Sequence, residues 1–312
     1  MDNEIMNRPD GNENPQPSNA SVSSSYDFGA FRRLFTLSCV IAAIVAVLRT
    51  VSLCLFYDEG MGLVARGAIL HYATDILTFA GICLAIIVTI IIGKKKTMPD
   101  MLPDPTGSVI STGILTGLAM IGLFAYLMYR GVHESVNGSG TIVWTVMLIF
   151  MIPAAIYFFK TAISKRPYSR ASAALGFAPV LWAAFFLISV YFERDTILNN
   201  TLRVYTQMSL IAVMTFFLNE VRFLVGKART TLYCAIGNAA IIMLSASAAP
   251  KLICAFVLCL EPSSDVVYGI VEIFLLLCIT TRMALYTSKR STFFASQEND
   301  EDFDEDTEGT EE

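Results

Sequence analysis

The stretch Leu34 to Tyr57 reads LFTLSCVIAAIVAVLRTVSLCLFY, and the stretch Ile69 to Ile92 reads ILHYATDILTFAGICLAIIVTIII. A helix needs about 20 predominantly apolar residues to cross a bilayer core, and both runs reach that length. Each carries one full charge, Arg49 in the first and Asp75 in the second. Six further blocks of the same kind follow: Ser108 to Met128, Thr141 to Phe159, Ala171 to Phe192, Val204 to Val225, Thr231 to Leu258 and Val266 to Tyr286. The sequence therefore predicts an all-α fold, a polytopic transmembrane helical bundle of about eight spans.

Composition agrees, because 54% of the 312 residues are hydrophobic and only 16% are charged, with a mean hydropathy of +0.58. A soluble domain could not cover so much apolar surface. Three regions are expected: a disordered polar tail over 1–29, rich in Asn, Ser and Pro; an eight-span domain over 30–290; and an acidic disordered tail over 291–312. The tails hold much of the negative charge. Glu298 to Glu312 contains ten carboxylates and no base, and the first 29 residues contain five carboxylates against Arg8 alone. What remains is basic, as expected of loops that face anionic lipid headgroups. The first apolar block is too long and too far from the start to read as a cleavable signal.

Orientation follows from the bases, since short loops rich in Lys and Arg stay in the cytoplasm. With the N-terminus inside, one side collects Arg32, Arg33, Lys94, Lys95, Lys96, Lys160, Lys165, Arg166, Arg170, Lys227, Arg229, Lys289 and Arg290. The other collects only Arg66, Arg130, Arg194 and Arg203. Both termini are thus expected in the cytoplasm, with the chain in a cell membrane. The loop from Gly93 to Gly107, with its three lysines and three prolines, reads as an extended basic anchor on the inner side. The outer loops carry Asn137-Gly138-Ser139 and Asn199-Asn200-Thr201, which would be glycosylation acceptors in a eukaryote.

Seven cysteines lie within or beside the apolar blocks without a CxxC spacing, so they read as small buried side chains. Only Cys254 and Cys259 are placed to pair near the outer face. Gly113 and Gly117 form a GxxxG pattern suited to close helix packing, with no partner specified.

Charges inside a bilayer cost roughly 2.5–3.5 kcal/mol each on insertion scales, so they tend to be paired or functional. At about 1.5 Å of rise per residue, Arg49 lies about 12 Å from the outer end of its span, Lys251 about 10 Å, and Asp75 and Glu272 about 9 Å. Two acids and two bases on four helices share one depth. They are expected to converge, bringing the first, second, seventh and eighth spans together. His71, Tyr268, Ser247 and Ser52 lie on the same helix faces, one turn from Asp75, Glu272, Lys251 and Arg49 respectively. Gln207 could join from the sixth span. Pro250, next to Lys251, predicts an irregular seventh span of the kind that frees carbonyls at transporter sites.

Nearer the inner face lie Asn219, Glu220, Arg222 and Arg282. Here a Glu220–Arg282 bridge would pin two helices, with Arg222 and Arg282 shallow enough to reach the interface.

These features favour a transporter or solute-binding membrane protein with a charged site in the outer leaflet. Arg49, His71, Asp75, Lys251, Glu272 and Tyr268 would be its ligand- or proton-binding residues, and its partners the lipid bilayer, a small solute or a proton. The alternative is a non-catalytic sensor, scaffold or assembly factor whose acidic tail recruits a cytoplasmic partner. An intramembrane enzyme stands third, because the two histidines and the missing nucleophile and nucleotide motifs give catalysis little to work with. No cofactor, metal site or nucleic-acid partner is expected.

Overall fold

In the computed structural model the residues described are 28–58, 63–64, 69–95, 98–99, 102–133, 140–163, 170–192, 201–257 and 264–288. Eight of their helices are long and apolar enough to cross a membrane. They are α1 (Phe28–Phe56), α2 (Ile69–Gly93), α3 (Gly107–His133), α4 (Gly140–Ile163), α5 (Arg170–Phe192), α6 (Thr201–Leu224), α7 (Thr230–Val257) and α8 (Ser264–Tyr286). A short antiparallel ladder, the one strand pairing among the described residues, joins Tyr57–Asp58 to Leu63–Val64 just past α1. Residues 1–27 and 289–312, Asn137-Gly138-Ser139, Asn199, Asn200 and Cys259 lie outside the described residues, while Phe28 and Gly29, expected in the tail, begin α1, and Thr201 begins α6.

The faces are sorted as hydrocarbon demands. On α1, Leu37, Val40, Ile44, Val47, Val51 and Leu55 form an exposed stripe, while Ser38, Ala42, Arg49 and Ser52 are buried. On α2 the inversion is plainer: its buried face is His71, Thr74, Thr78, Gly81, Ala85 and Thr89. Small and polar residues pack inward because lipid tails solvate the large apolar ones as well as a protein core does. The threonines cost little there, since Thr74, Thr78 and Thr89 donate to carbonyls four residues back at 2.6–2.7 Å.

Six helices close a ring in which α3 packs on α4, α4 on α5, α5 on α6, α6 on α7, α7 on α8 and α8 on α3. Outside it, α1 and α2 pack on each other and on α7. The hub is α7, whose spanning window is 72% buried against 22% for α2. Its run Ser245-Ala246-Ser247-Ala248-Ala249 is small enough for neighbours to approach from all sides. The expected irregularity at Pro250 does not break it, because α7 is one continuous helix with the proline inside. The Gly113/Gly117 pattern finds its partner in α4: a Cβ on Gly113 would meet Ala162 Cβ at 2.8 Å, and one on Gly117 the Phe159 ring at 2.8 Å.

Two helix ends have clear causes. α6 stops at Gly226, whose φ of 70° favours glycine. Gly226 N–H donates to Phe223 O at 3.0 Å and Lys227 N–H to Arg222 O at 2.8 Å, a Schellman closure. At the end of α5, the carbonyls of Val190 and Tyr191 accept from Arg203. Arg203 is therefore no loop residue but a buried cap in the first turn of α6.

The end carrying Arg32, Lys94, Lys227 and Arg229 is called the basic end below. There the segment after α2 does not simply extend away as a basic anchor. Met98 and Pro99 are buried, and Tyr286 Oη donates to Pro99 O at 2.7 Å.

Cys254 Sγ lies 3.0 Å from Cys54 Sγ on α1, a neighbour not expected from sequence. In a variant retaining only Cys54 and Cys254, copper–phenanthroline oxidation is expected to join the two within one chain. Mass spectrometry of the digest would show the linked pair. Recovery of both cysteines unlinked, in protein whose thiols react with maleimide, would mean that α1 and α7 do not meet at this depth.

Candidate functional site

The four charges at matched depth resolve into two ion pairs rather than one cluster. Arg49 of α1 donates to Asp75 of α2, Nη1 to Oδ1, at 3.0 Å. Lys251 of α7 donates to Glu272 of α8, Nζ to Oε2, at 2.8 Å. The helices are positioned for this by α7, which touches α1, α2 and α8, whereas α2 and α8 do not pack on each other.

The connection between the pairs is α6. Tyr205 Oη donates to Asp75 Oδ1 at 2.7 Å, and Ser209 Oγ donates to Glu272 Oε1 at 2.6 Å. These residues are one helical turn apart on the same face, so one helix holds both carboxylates. Gln207, the residue expected from this helix, joins neither pair. The i, i+4 spacing of Tyr205 and Ser209, close to the depth of the charges, is the signal that could have found them.

The two pairs differ in how completely they are satisfied. Around Glu272, both carboxylate oxygens accept from Ser247 at 3.0–3.1 Å besides their bonds to Lys251 and Ser209. Lys251 and Glu272 are each at most 5% exposed. This centre is closed. Tyr268, expected beside Glu272, is buried with its ring 4.4 Å from that of Phe186 on α5.

Around Asp75 the centre is open. The Arg49 side chain is wholly buried while that of Asp75 is 29% exposed. His71 Nε2 lies 3.5 Å from Asp75 Oδ2. The guanidinium stacks over the Tyr205 ring at 3.1 Å from its centroid and reaches Thr201 O at 3.4 Å. Yet Arg49 Nε, His71 Nδ1 and Ser52 Oγ are buried without a hydrogen-bond partner. A buried polar atom left unpaired costs about 1–3 kcal/mol, so such a group marks a place where something else binds.

At the basic end, Arg282 of α8 pairs with Glu220 of α6, the bridge expected from sequence. Arg282 Nη2 also donates to Thr161 Oγ1 of α4 at 2.8 Å, and its guanidinium lies 5.8 Å from the ring centroids of Tyr157 and Phe217. Asn219 turns away and donates to Thr215 O at 2.8 Å. Arg222 is half-buried and takes no part in the bridge. Tyr157 and Tyr233 border a small cleft beside the bridge.

Among the described residues no group of three or more His, Cys, Asp or Glu side chains is placed to hold a metal ion. The arrangement defines a multi-pass membrane protein with two polar centres at one depth and a third at the opposite end. Searches against protein-family models, characterised proteins and solved structures found no match.

The closed pair makes a stability prediction. Lys251→Ala leaves Glu272 buried without its counter-charge and should cost about 3–5 kcal/mol. The double variant Lys251→Met/Glu272→Met removes both charges and should recover most of that loss. Melting of detergent-purified protein measures both. A double variant no more stable than Lys251→Ala would contradict the pairing.

Proposed function

We propose that this protein is a transporter or solute-binding protein of a cell membrane, with both termini cytoplasmic, whose site is the open centre formed by Arg49, Asp75, His71 and Tyr205. One observation carries this reading: the unpaired polar atoms at matched depth gather around Arg49 and Asp75, while the Lys251–Glu272 centre has none. The closed pair then serves as the fixed frame, with Tyr205 and Ser209 of α6 tying frame and site together.

The chemistry follows from charge balance. At rest Arg49 and Asp75 neutralise each other, which is the state a low-dielectric site favours. A proton taken up by Asp75, delivered through His71, leaves the Arg49 guanidinium without its counter-ion. A small anion can then take the place of the carboxylate on Arg49, and its entry with the proton adds no net charge to the site. Guanidinium suits carboxylate or phosphate groups because its donors form a planar fork. Proton and anion are thereby coupled through one side chain.

Protonation drives the anion affinity, so the sign of the pH dependence is fixed. Binding should be stronger in acid than at neutral pH for the wild type. Asp75→Asn imitates the protonated carboxyl and should bind with little pH dependence. Arg49→Gln should not bind. The check is the melting temperature of the purified protein against acetate, glutamate and inorganic phosphate at both pH values. A ligand at a hundred times its Kd stabilises by about 2.7 kcal/mol. Wild type unmoved by every anion, or an Asp75→Asn variant retaining the wild-type pH dependence, rejects the reading.

A further inference from the structure

The cleft at the basic end has a floor and walls of different chemistry. Its floor is polar and buried: Tyr157 and Tyr233 are at most 1% exposed, Glu220 is 5% and Arg282 7%. Each retains one atom with nothing to bond, namely Tyr157 Oη, Tyr233 Oη, Glu220 Oε2 and Arg282 Nε. Its walls are apolar: Val109 of α3, Leu224 of α6 and Leu285 of α8, with Leu102, Pro103 and Pro105 from the segment before α3. These features belong to a site separate from the one around Asp75, and nothing about it depends on that reading.

We propose that this cleft binds a small neutral amphipathic molecule whose polar head both donates and accepts hydrogen bonds, as a primary amide does. Neutrality follows from the floor. Glu220 and Arg282 already cancel, so an anion would confront Glu220 and a cation would confront Arg282. Either would bring an unbalanced charge into a buried place, which is costly. The need for both donor and acceptor follows from the vacant atoms. Glu220 Oε2 only accepts, Arg282 Nε only donates, and each tyrosine hydroxyl can do either.

Water can meet the vacant atoms of the floor but does not use the walls. A buried water needs two to four polar partners, and the apolar walls supply none along most of the cleft. An apolar body lying against Leu224, Leu285 and the prolines, with its head on the tyrosines, uses both surfaces. Such sites, mostly apolar with a few placed polar groups, are the usual form of a small-molecule pocket. Tyr286 contributes from outside by bonding Pro99 O, which holds the segment leading to the Leu102–Pro105 wall against the bundle.

The test uses the full chain in detergent and matched probes: hexanamide, hexanoate and hexylammonium. Saturation-transfer NMR, corrected with empty micelles, reads each contact. Hexanamide is expected to bind saturably, and the two charged analogues at least about tenfold more weakly, a difference of about 1.4 kcal/mol. Tyr157→Phe/Tyr233→Phe should weaken hexanamide about tenfold or more. That variant should still fold, because neither hydroxyl makes a hydrogen bond of ordinary length and both rings remain. The single Tyr157→Phe and Tyr233→Phe variants provide the same reading if the double one melts early. Asp75→Asn should leave hexanamide binding unchanged, which separates this site from the other. Absence of saturable hexanamide binding, charged analogues that bind equally well, or tyrosine variants that bind as wild type would each overturn the proposal.

Discussion

Charge taken into hydrocarbon must be cancelled by the protein itself, and the packing of this bundle reflects that at both ends. Among the described residues three buried bases face three acids: Arg49 with Asp75, Lys251 with Glu272 and Arg282 with Glu220. Each pair joins two different helices, and α6 reaches all three through Tyr205, Ser209 and Glu220. Hydrophobic burial cannot choose which helix stands beside which, since lipid is as good a neighbour for leucine as another helix is. Counter-charges can choose, because a wrong neighbour leaves an ion alone in an apolar medium.

Packing around α7 makes these pairings possible. Its small residues permit close approach by α1, α2, α6 and α8, and close approach lets short Ser247 reach Glu272. A larger residue at Ala246 or Ala248, both fully buried, would push the helices apart and lengthen every bond around Glu272. Sterics and electrostatics therefore act on the same few positions. The ring on the far side of α7 relies on a different device, a set of aromatic side chains. Phe216, Phe223, Tyr233 and Tyr286 meet there with centroids 5.0–5.8 Å apart.

Much of this was legible in the chain. Apolar length alone located eight spans, because a bilayer imposes one length on everything that crosses it. Depth counting singled out Arg49, Asp75, Lys251 and Glu272, but depth is one coordinate, and it could not say that the four would form two pairs. Azimuth and neighbour identity depend on tertiary packing, so the spacing of Tyr205 and Ser209 gave no sign of which carboxylates they would reach until α6 was seen against α7. The Glu220–Arg282 bridge could be anticipated because both residues sit near the same end of their spans. The cleft beside it could not, since its walls come from widely separated segments. Pro250 misled for a related reason: its missing donor is one bond in a helix that neighbours surround on all sides.

The placement of α2 has a consequence for how the bundle could change shape. It is the least enclosed helix, and it rests on α1 and α7 through threonines, a glycine and an alanine. Most of those hydroxyls are bonded within their own helix, so few polar contacts tie this face to its neighbours. Among the described residues Asp75 is its one acidic anchor, held by Arg49 and Tyr205. A single carboxyl group thus acts as the latch on a sliding element, and its charge sets how firmly the latch is thrown.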